Sequence, residues 1–255
     1  MTKGRGRAGG WRGRGGGRSA SKYKAKRERQ ELAKREALVF LRALPAEQTV
    51  IAYTDGGCDP NPGPAGAGAL VDFPMHVRML PTPQSAFTKP DSRTSLSSES
   101  VVECARGERE CGESKREPNV CSVRRRERSE ALGYGTNNIG ELMGVRLACQ
   151  MIESAAQGIR EADDPPVSQA IILSDSRYVK GQLIDGHATV ANRDLVRRVR
   201  QIVENCRRAI HPVPLILRWV PAHVGLDGNE RADALATRGV HGNAYMAFEQ
   251  SVAST

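Results

Sequence analysis

TVIAYTDGGCDPNPGPAGAGAL, residues 49–70, is the stretch on which the fold turns. Its first residues are apolar and β-branched and read as a strand, Thr49 to Asp55. Gly56-Gly57 and the Pro/Asn/Gly turn after them lead into a second strand around Ala67–Val71. Asp55 therefore stands at a strand end, on the rim of a sheet. Three more segments place a carboxylate in a comparable position. Glu141 opens a helical pattern in GTNNIGELMGVRLACQ, Asp175 follows the apolar run of AIILSDSRYVKGQL, and Asp233 opens a helix in RWVPAHVGLDGNERADALA.

Each of these residues has a plain structural reading. Asp55 suits a turn, Asp175 suits a helix N-cap, and Glu141 and Asp233 favour first helical turns electrostatically. Four on one rim are another matter, because like charges oppose joint ionisation. A counter-cation relieves that repulsion. Clustered carboxylate oxygens suit hard divalent ions such as Mg²⁺, and two such ions can hydrolyse a phosphodiester.

The composition is compatible. The net charge is +9, and it is unevenly distributed. Residues 1–44 carry 14 Lys and Arg against 3 Glu, a net of +11, so the remaining 211 residues hold −2. A basic end of that kind suits a polyanion such as nucleic acid, although charge runs also serve solubility. The six cysteines, at 58, 104, 111, 121, 149 and 206, form no C-x-x-C pair. With no apolar span or signal-peptide core, they suggest free thiols in a reducing compartment. We expect an intracellular protein of the nucleus or cytoplasm. The mitochondrion is a further location, because the first acidic residue is Glu28.

Residues 1–21 are Gly/Arg-rich and are expected to be disordered. Residues 22–45 predict a basic helix ending at Pro45. The main domain is expected over 48–240, with a tail at 241–255. Residues 72–130 combine prolines, a serine run and the charged CSVRRRERSE, and are expected to form a disordered insertion. His76, Cys104, Cys111 and Cys121 within it lack the regular spacing of a zinc site. Order is expected to resume with a third strand at 131–135, a helix from Asn137 or Asn138, a strand at 170–174, helices near 177–184 and 193–209, a strand at 215–220 and a helix at 229–238. That order implies an α/β fold. Three antiparallel strands join two parallel strands in one mixed five-stranded sheet, with helices on both faces.

TDGGCDPNPGPAGAGAL, TNNIGELMGVRLA, LSDSRYVKGQL and WVPAHVGLDGNERADALA follow one another in an order that resembles type 1 ribonuclease H. The resemblance covers residues 49–71 and 131–240. It implies the ribonuclease H-like fold, and an endonuclease that cleaves the RNA strand of RNA–DNA hybrids, leaving 5′-phosphate and 3′-hydroxyl ends. It places two Mg²⁺ ions, with Mn²⁺ as a substitute, on Asp55, Glu141, Asp175 and Asp233. It makes His223 the mobile catalytic histidine. Cys58 and Asn61 match a turn beside the RNA 2′-hydroxyls, Asn137 and Asn138 match residues straddling the minor groove, and Thr136 and Asn192 match residues on a DNA phosphate. The expected partners are the hybrid and, through the basic tail, nucleic acid more generally. No membrane is expected, and the protein is expected to be a monomer. Two other readings stay open from the residues: a non-catalytic RNA-binding or ribonucleoprotein component that keeps the fold, and a module derived from a retroelement.

Overall fold

The computed structural model describes residues 16–78, 97–103, 123–162, 165–222 and 225–252. Six strands form one sheet: β1 (Thr49–Cys58), β2 (Gly63–Pro74), β3 (Ser97–Glu103), β4 (Val123–Gly135), β5 (Gln169–Ser174) and β6 (Leu215–Trp219). Their order is β3-β4-β2-β1-β5-β6. β1, β2 and β4 form the antiparallel part, and β5 and β6 run parallel to β1. These are the five expected strands. β3 is an addition that pairs antiparallel with the outer edge of β4.

The helices are α1 (Gly16–Ala43), α2 (Asn137–Ser154), α3 (Ala156–Arg160), α4 (Arg177–Val179, continued by a π turn, Lys180–Ile184), α5 (Arg193–Ile210) and α6 (Asp227–Val252). The larger core lies between the sheet and the α2–α5 layer. Val50, Ala52, Val71 and Phe73 meet Leu142, Val145, Ile152, Val199 and Val203 there, all nearly inaccessible to water. Burying side chains of this size stabilises the fold by about 1.5–3 kcal/mol each. The other face is shared. α6 covers β1, β2 and β4. Ala37 of α1 and Leu44 just past its end pack with Ile171, Leu173, Val220 and Leu226.

Small residues bring two helices unusually close to the sheet. A Cβ on Gly56 of β1 would lie 2.0 Å from the backbone nitrogen of Glu141, and one on Gly68 of β2 would lie 2.3 Å from the carbonyl oxygen of Ala232. Only hydrogen fits at either place, so α2 and α6 press their second turns onto the strands. Those turns carry Glu141 and Asp233.

Several expected boundaries move; β1 runs on to Cys58, so Asp55 lies inside the strand and not at its end. The insertion is not unstructured throughout 72–130, because β2 runs to Pro74, β3 occupies 97–103 and β4 begins at Val123. Residues 79–96 and 104–122, with Cys104, Cys111 and Cys121, lie outside the described residues. β4 escapes a hydropathy reading because charged partners replace apolar ones. Arg126 and Arg128 donate to Ser154 and Gln150 of α2, while Arg125 forms two bonds to Asp72 of β2, and Glu127 accepts two from Arg231 of α6. Next, α1 starts at Gly16 rather than 22, so it takes in part of the expected tail; residues 1–15 lie outside the described residues. Last, α6 continues to Val252, well into the expected tail from 241. Gly239 does not end the helix but lets it approach β4, where a Cβ would lie 2.4 Å from the Glu130 carbonyl oxygen. No helix among the described residues is long and apolar enough to cross a membrane.

Candidate active site

Asp55 lies within β1 opposite Gly68, and parallel pairing of β1 with β5 brings Asp175, one residue past β5, alongside it. The close approach of α2 at Gly56 adds Glu141. One carboxylate oxygen from each of Asp55, Glu141 and Asp175 lies within 4.8 Å of the others. Asp233, on α6, stands outside that group of three but close enough for its charge to act on Asp55 and Glu141. Three of the four expected carboxylates thus meet, and the fourth, Asp233, lies within reach of their field.

The cluster is electrostatically unfavourable when bare. Asp55 is 9% exposed and Glu141 7%. Burial is the largest cause that pushes the Asp55 carboxyl up, to about 8, and the Asp175 charge adds to it, while the Gly56 amide partly offsets both. Burial likewise pushes Glu141 up to about 9, followed by the charges of Asp55 and Asp175. Glu141 Oε2 is buried and has no hydrogen-bond partner among the described residues. Hard oxygen donors, mutual repulsion and an unpartnered buried oxygen together fit a divalent cation.

Neighbouring groups hold these carboxylates in place. Asn229 Nδ2 donates to Asp175 Oδ2 at 2.9 Å, and the Trp219 indole N–H donates to the Asp175 carbonyl at 2.9 Å. Asn229 is 4% exposed. Sequence alone does not single it out, yet it lies four residues before Asp233. That spacing puts both on one side of α6.

The remaining expected residues divide. Thr136, not Asn137 or Asn138, occupies the N-cap of α2, with its carbonyl accepting from the amides of Ile139 and Gly140. Asn137 is the first helical residue, and its side chain donates to Glu141 Oε1 at 3.3 Å. Asn61 Oδ1 accepts from the Asn137 amide at 3.4 Å, which ties the β1–β2 turn to the head of α2. Cys58 Sγ lies 3.2 Å from the Pro60 oxygen and 3.4 Å from that of Gly135. Asn138 is exposed beside this group. Asn192 adopts the left-handed conformation at the start of α5, with φ 57°, and among the described residues no hydrogen bond joins it to the cluster. His223 lies outside the described residues.

The RNase H family model matches residues 111–241. Ribonuclease H of Verminephrobacter eiseniae is 30% identical over 193 residues, covering 74% of this chain and 88% of the relative. Ribonuclease H of Alcanivorax borkumensis is 28% identical over 194 residues, covering 76% and 92%. Among solved structures, RNase H1 of the halophilic archaeon Halobacterium salinarum NRC-1 matches with 21% identity and a TM-score of 0.44, covering 76% of this chain and 98% of that one. The family match contains Glu141, Asp175 and Asp233, three of the four expected carboxylates, and the relatives are matched over nearly their full length: the chain belongs to the RNase H family.

Proposed function

We propose that this enzyme hydrolyses the RNA strand of RNA–DNA hybrids within the strand, with Asp55, Glu141, Asp175 and Asp233 as ligands for two Mg²⁺ ions, or Mn²⁺ in their place. The observation that carries the reading is the meeting of three carboxylate oxygens within 4.8 Å, one buried oxygen of Glu141 having no partner among the described residues. Divalent ions held by these carboxylates would supply a water of lowered pKa and positive charge beside the leaving 3′-oxygen. The protein's own contribution is placement. Asn229 keeps Asp175 turned into the cluster, Asn137 does the same for Glu141, and the glycine contacts at 56 and 68 fix the distances between elements.

Selectivity for RNA requires contacts to the 2′-hydroxyl, which tells the strands apart. Cys58, Asn61, Asn137 and Asn138 sit around the head of α2, beside Glu141, and suit that task. Thr136 and Asn192 suit phosphate contacts on the DNA strand. His223 is assigned by its match to the family motif and would move a proton rather than hold metal. The basic N-terminus adds affinity for nucleic acid, and the protein acts as a monomer. The retained, mutually repelling carboxylates speak against a non-catalytic component.

The test is cleavage of an end-labelled hybrid with Mg²⁺, beside DNA duplex and RNA duplex. Internal cuts in the RNA of the hybrid, with 5′-phosphate products and no cuts after chelation, are expected. Intact hybrid in the presence of Mg²⁺ and Mn²⁺ would overturn the reading.

A further inference from the structure

α1 lies outside the family match at 111–241, yet it takes part in the packing of the domain. Its two sides differ. Leu32 and Val39 are 58% and 66% exposed, whereas Ala37 is buried and Leu38, Phe40 and Leu41 are partly buried. Helical spacing puts 37, 38 and 41 on one side and 32 and 39 on the other. The buried side joins one apolar cluster with Leu44, Ile171, Leu173, Val220 and Leu226, and Tyr53 packs beside it. The Arg218 guanidinium lies 3.6 Å from the centre of the Phe40 ring, a cation–π contact that joins β6 to the helix.

This cluster adjoins both groups that hold Asp175. Val220 follows Trp219, whose indole N–H donates to the Asp175 carbonyl, and the Val220 amide donates to the Ser174 carbonyl at 3.0 Å. Leu226 stands three residues before Asn229, whose amide donates to the Asp175 carboxylate. The Leu226 carbonyl accepts from the Glu230 amide at 3.0 Å, which ties Leu226 to the first turn of α6. A Cβ on Gly228 would lie 2.4 Å from the Tyr53 ring, so that ring rests against the same turn. Leu173 lies two residues before Asp175 on β5. The backbone on either side of both donors is therefore anchored in the cluster that α1 completes.

We propose that the apolar side of α1 is a positioning element for the active site, in which Leu38 and Leu41 help to keep Trp219 and Asn229 at the separation where both reach Asp175. Trp219 ends β6 and Asn229 begins α6, so the two donors share no element that would fix their spacing. Hydrogen bonds of 2.9 Å weaken steeply when a donor shifts or tilts. A common apolar anchor at Val220 and Leu226 prevents that shift. The inference rests on the hydrolase reading for the role of Asp175 as a metal ligand.

The experiment uses the full chain with Leu38→Ala and Leu41→Ala combined. Alanine preserves the helix and removes the packing alone. Hybrid cleavage gives kcat and KM separately, at a temperature where urea unfolding shows the variant to be folded, and calorimetry without hybrid gives the affinity for Mg²⁺. We expect kcat and Mg²⁺ affinity each to fall about 3–10-fold, less than the 10–100-fold that follows loss of a direct partner of a metal ligand, with KM near parental. Leu38→Met with Leu41→Met conserves volume and should restore both quantities. Val39→Ala, on the exposed side, should change neither by more than about twofold. Should the double alanine protein not fold, Leu41→Ala replaces it and the same readouts decide. Parental kcat and Mg²⁺ affinity beside a lowered urea midpoint would overturn the proposal and leave α1 as packing only. A loss confined to KM would also overturn it, by giving α1 to substrate binding, and so would an equal effect of Val39→Ala. A parent that cuts no hybrid, with Mg²⁺ binding still weakened in the double variant, would sink the hydrolase reading alone.

Discussion

Glu127 on β4 is met by both arms of Arg231, at 2.8 and 2.6 Å, and Glu130 nearby is met by Arg146 and Arg128. Glu141, near the head of α2, is buried to a similar degree but faces Asp55 and Asp175, with one oxygen unpartnered among the described residues. The two regions contain the same functional group and treat it oppositely. Arg231 holds the Glu127 carboxyl below its ordinary range, while burial and neighbouring carboxylates push Asp55 and Glu141 far above theirs. A carboxylate paired with guanidinium is finished as a piece of structure. Unpaired carboxylates, gathered by close helix–strand contact, are ready for a cation from solution. What separates framework from active site here is thus the partner supplied by the fold, not burial or residue type.

The largest expected effect comes from removing one member of the unpaired set. Asp55→Asn should lower turnover by about 10³-fold or more, the scale seen when an active site loses a charge-stabilising group. The same change should raise the melting temperature of the chelated protein at pH 8, because it removes a buried repulsion. Loss of activity together with a lower metal-free melting temperature would show that Asp55 is a structural carboxylate. Next in size is Asn229→Ala. Freeing Asp175 from its donor should cost about 10–100-fold in turnover or metal affinity, as outer ligand supports do. Titrating Mg²⁺ during turnover checks it, and parent-like behaviour would make Asn229 a helix packing residue only.

In the paired region the same kind of change should cost stability instead. Glu127→Gln leaves a half-exposed Arg231 without its anion and should destabilise by about 1–2 kcal/mol. Urea unfolding measures this, with hybrid cleavage well below the melting temperature expected to stay near parental. The smallest effect, and the sharpest, is in pH. Glu127 titrates below its ordinary value of 4.5 in the folded state, so its contribution is present above that value and disappears as pH falls through the folded one. Asp55 and Glu141 titrate high when metal-free, so their contribution is complete in acid and is lost as pH rises through about 8 and 9. Chelated Asp55→Asn should therefore gain on the parent between pH 5 and 8, while the deficit of Glu127→Gln should shrink below pH 4. Two parallel pH profiles would mean that the two regions do not differ as described.

Much of the site was legible in the chain, and the reason is local. Asp55 and Asp175 follow apolar runs, and Glu141 and Asp233 stand early in helical patterns, so each announces the kind of element that carries it, though not its place along it. β5 reads easily for the same reason, since AIIL is apolar on both faces. β4 does not. In VRRRERSEALGYG the residues alternate in their partners, Arg126 and Arg128 toward α2 and Glu127 toward α6, but both sets are charged and no apolar period results. The partners of Glu127 and Arg126 lie 104 and 28 residues away in sequence, beyond any window in which a strand is sought. Asn229 was missed although its spacing from Asp233 was visible, because an amide in a charged helix has many ordinary explanations.

By itself the sequence determined the order and kind of the five principal strands, the four carboxylates and the basic character of the N-terminus, since all of these follow from local pattern and charge. Only the tertiary structure decided that the charged segment before Ala131 is a strand, that α1 is seated on Ile171, Leu173, Val220 and Leu226, and that Asn229 aims Asp175. Each of those depends on a partner distant in the chain. A side chain's own chemistry states what it can bind, and the fold alone states what stands opposite it.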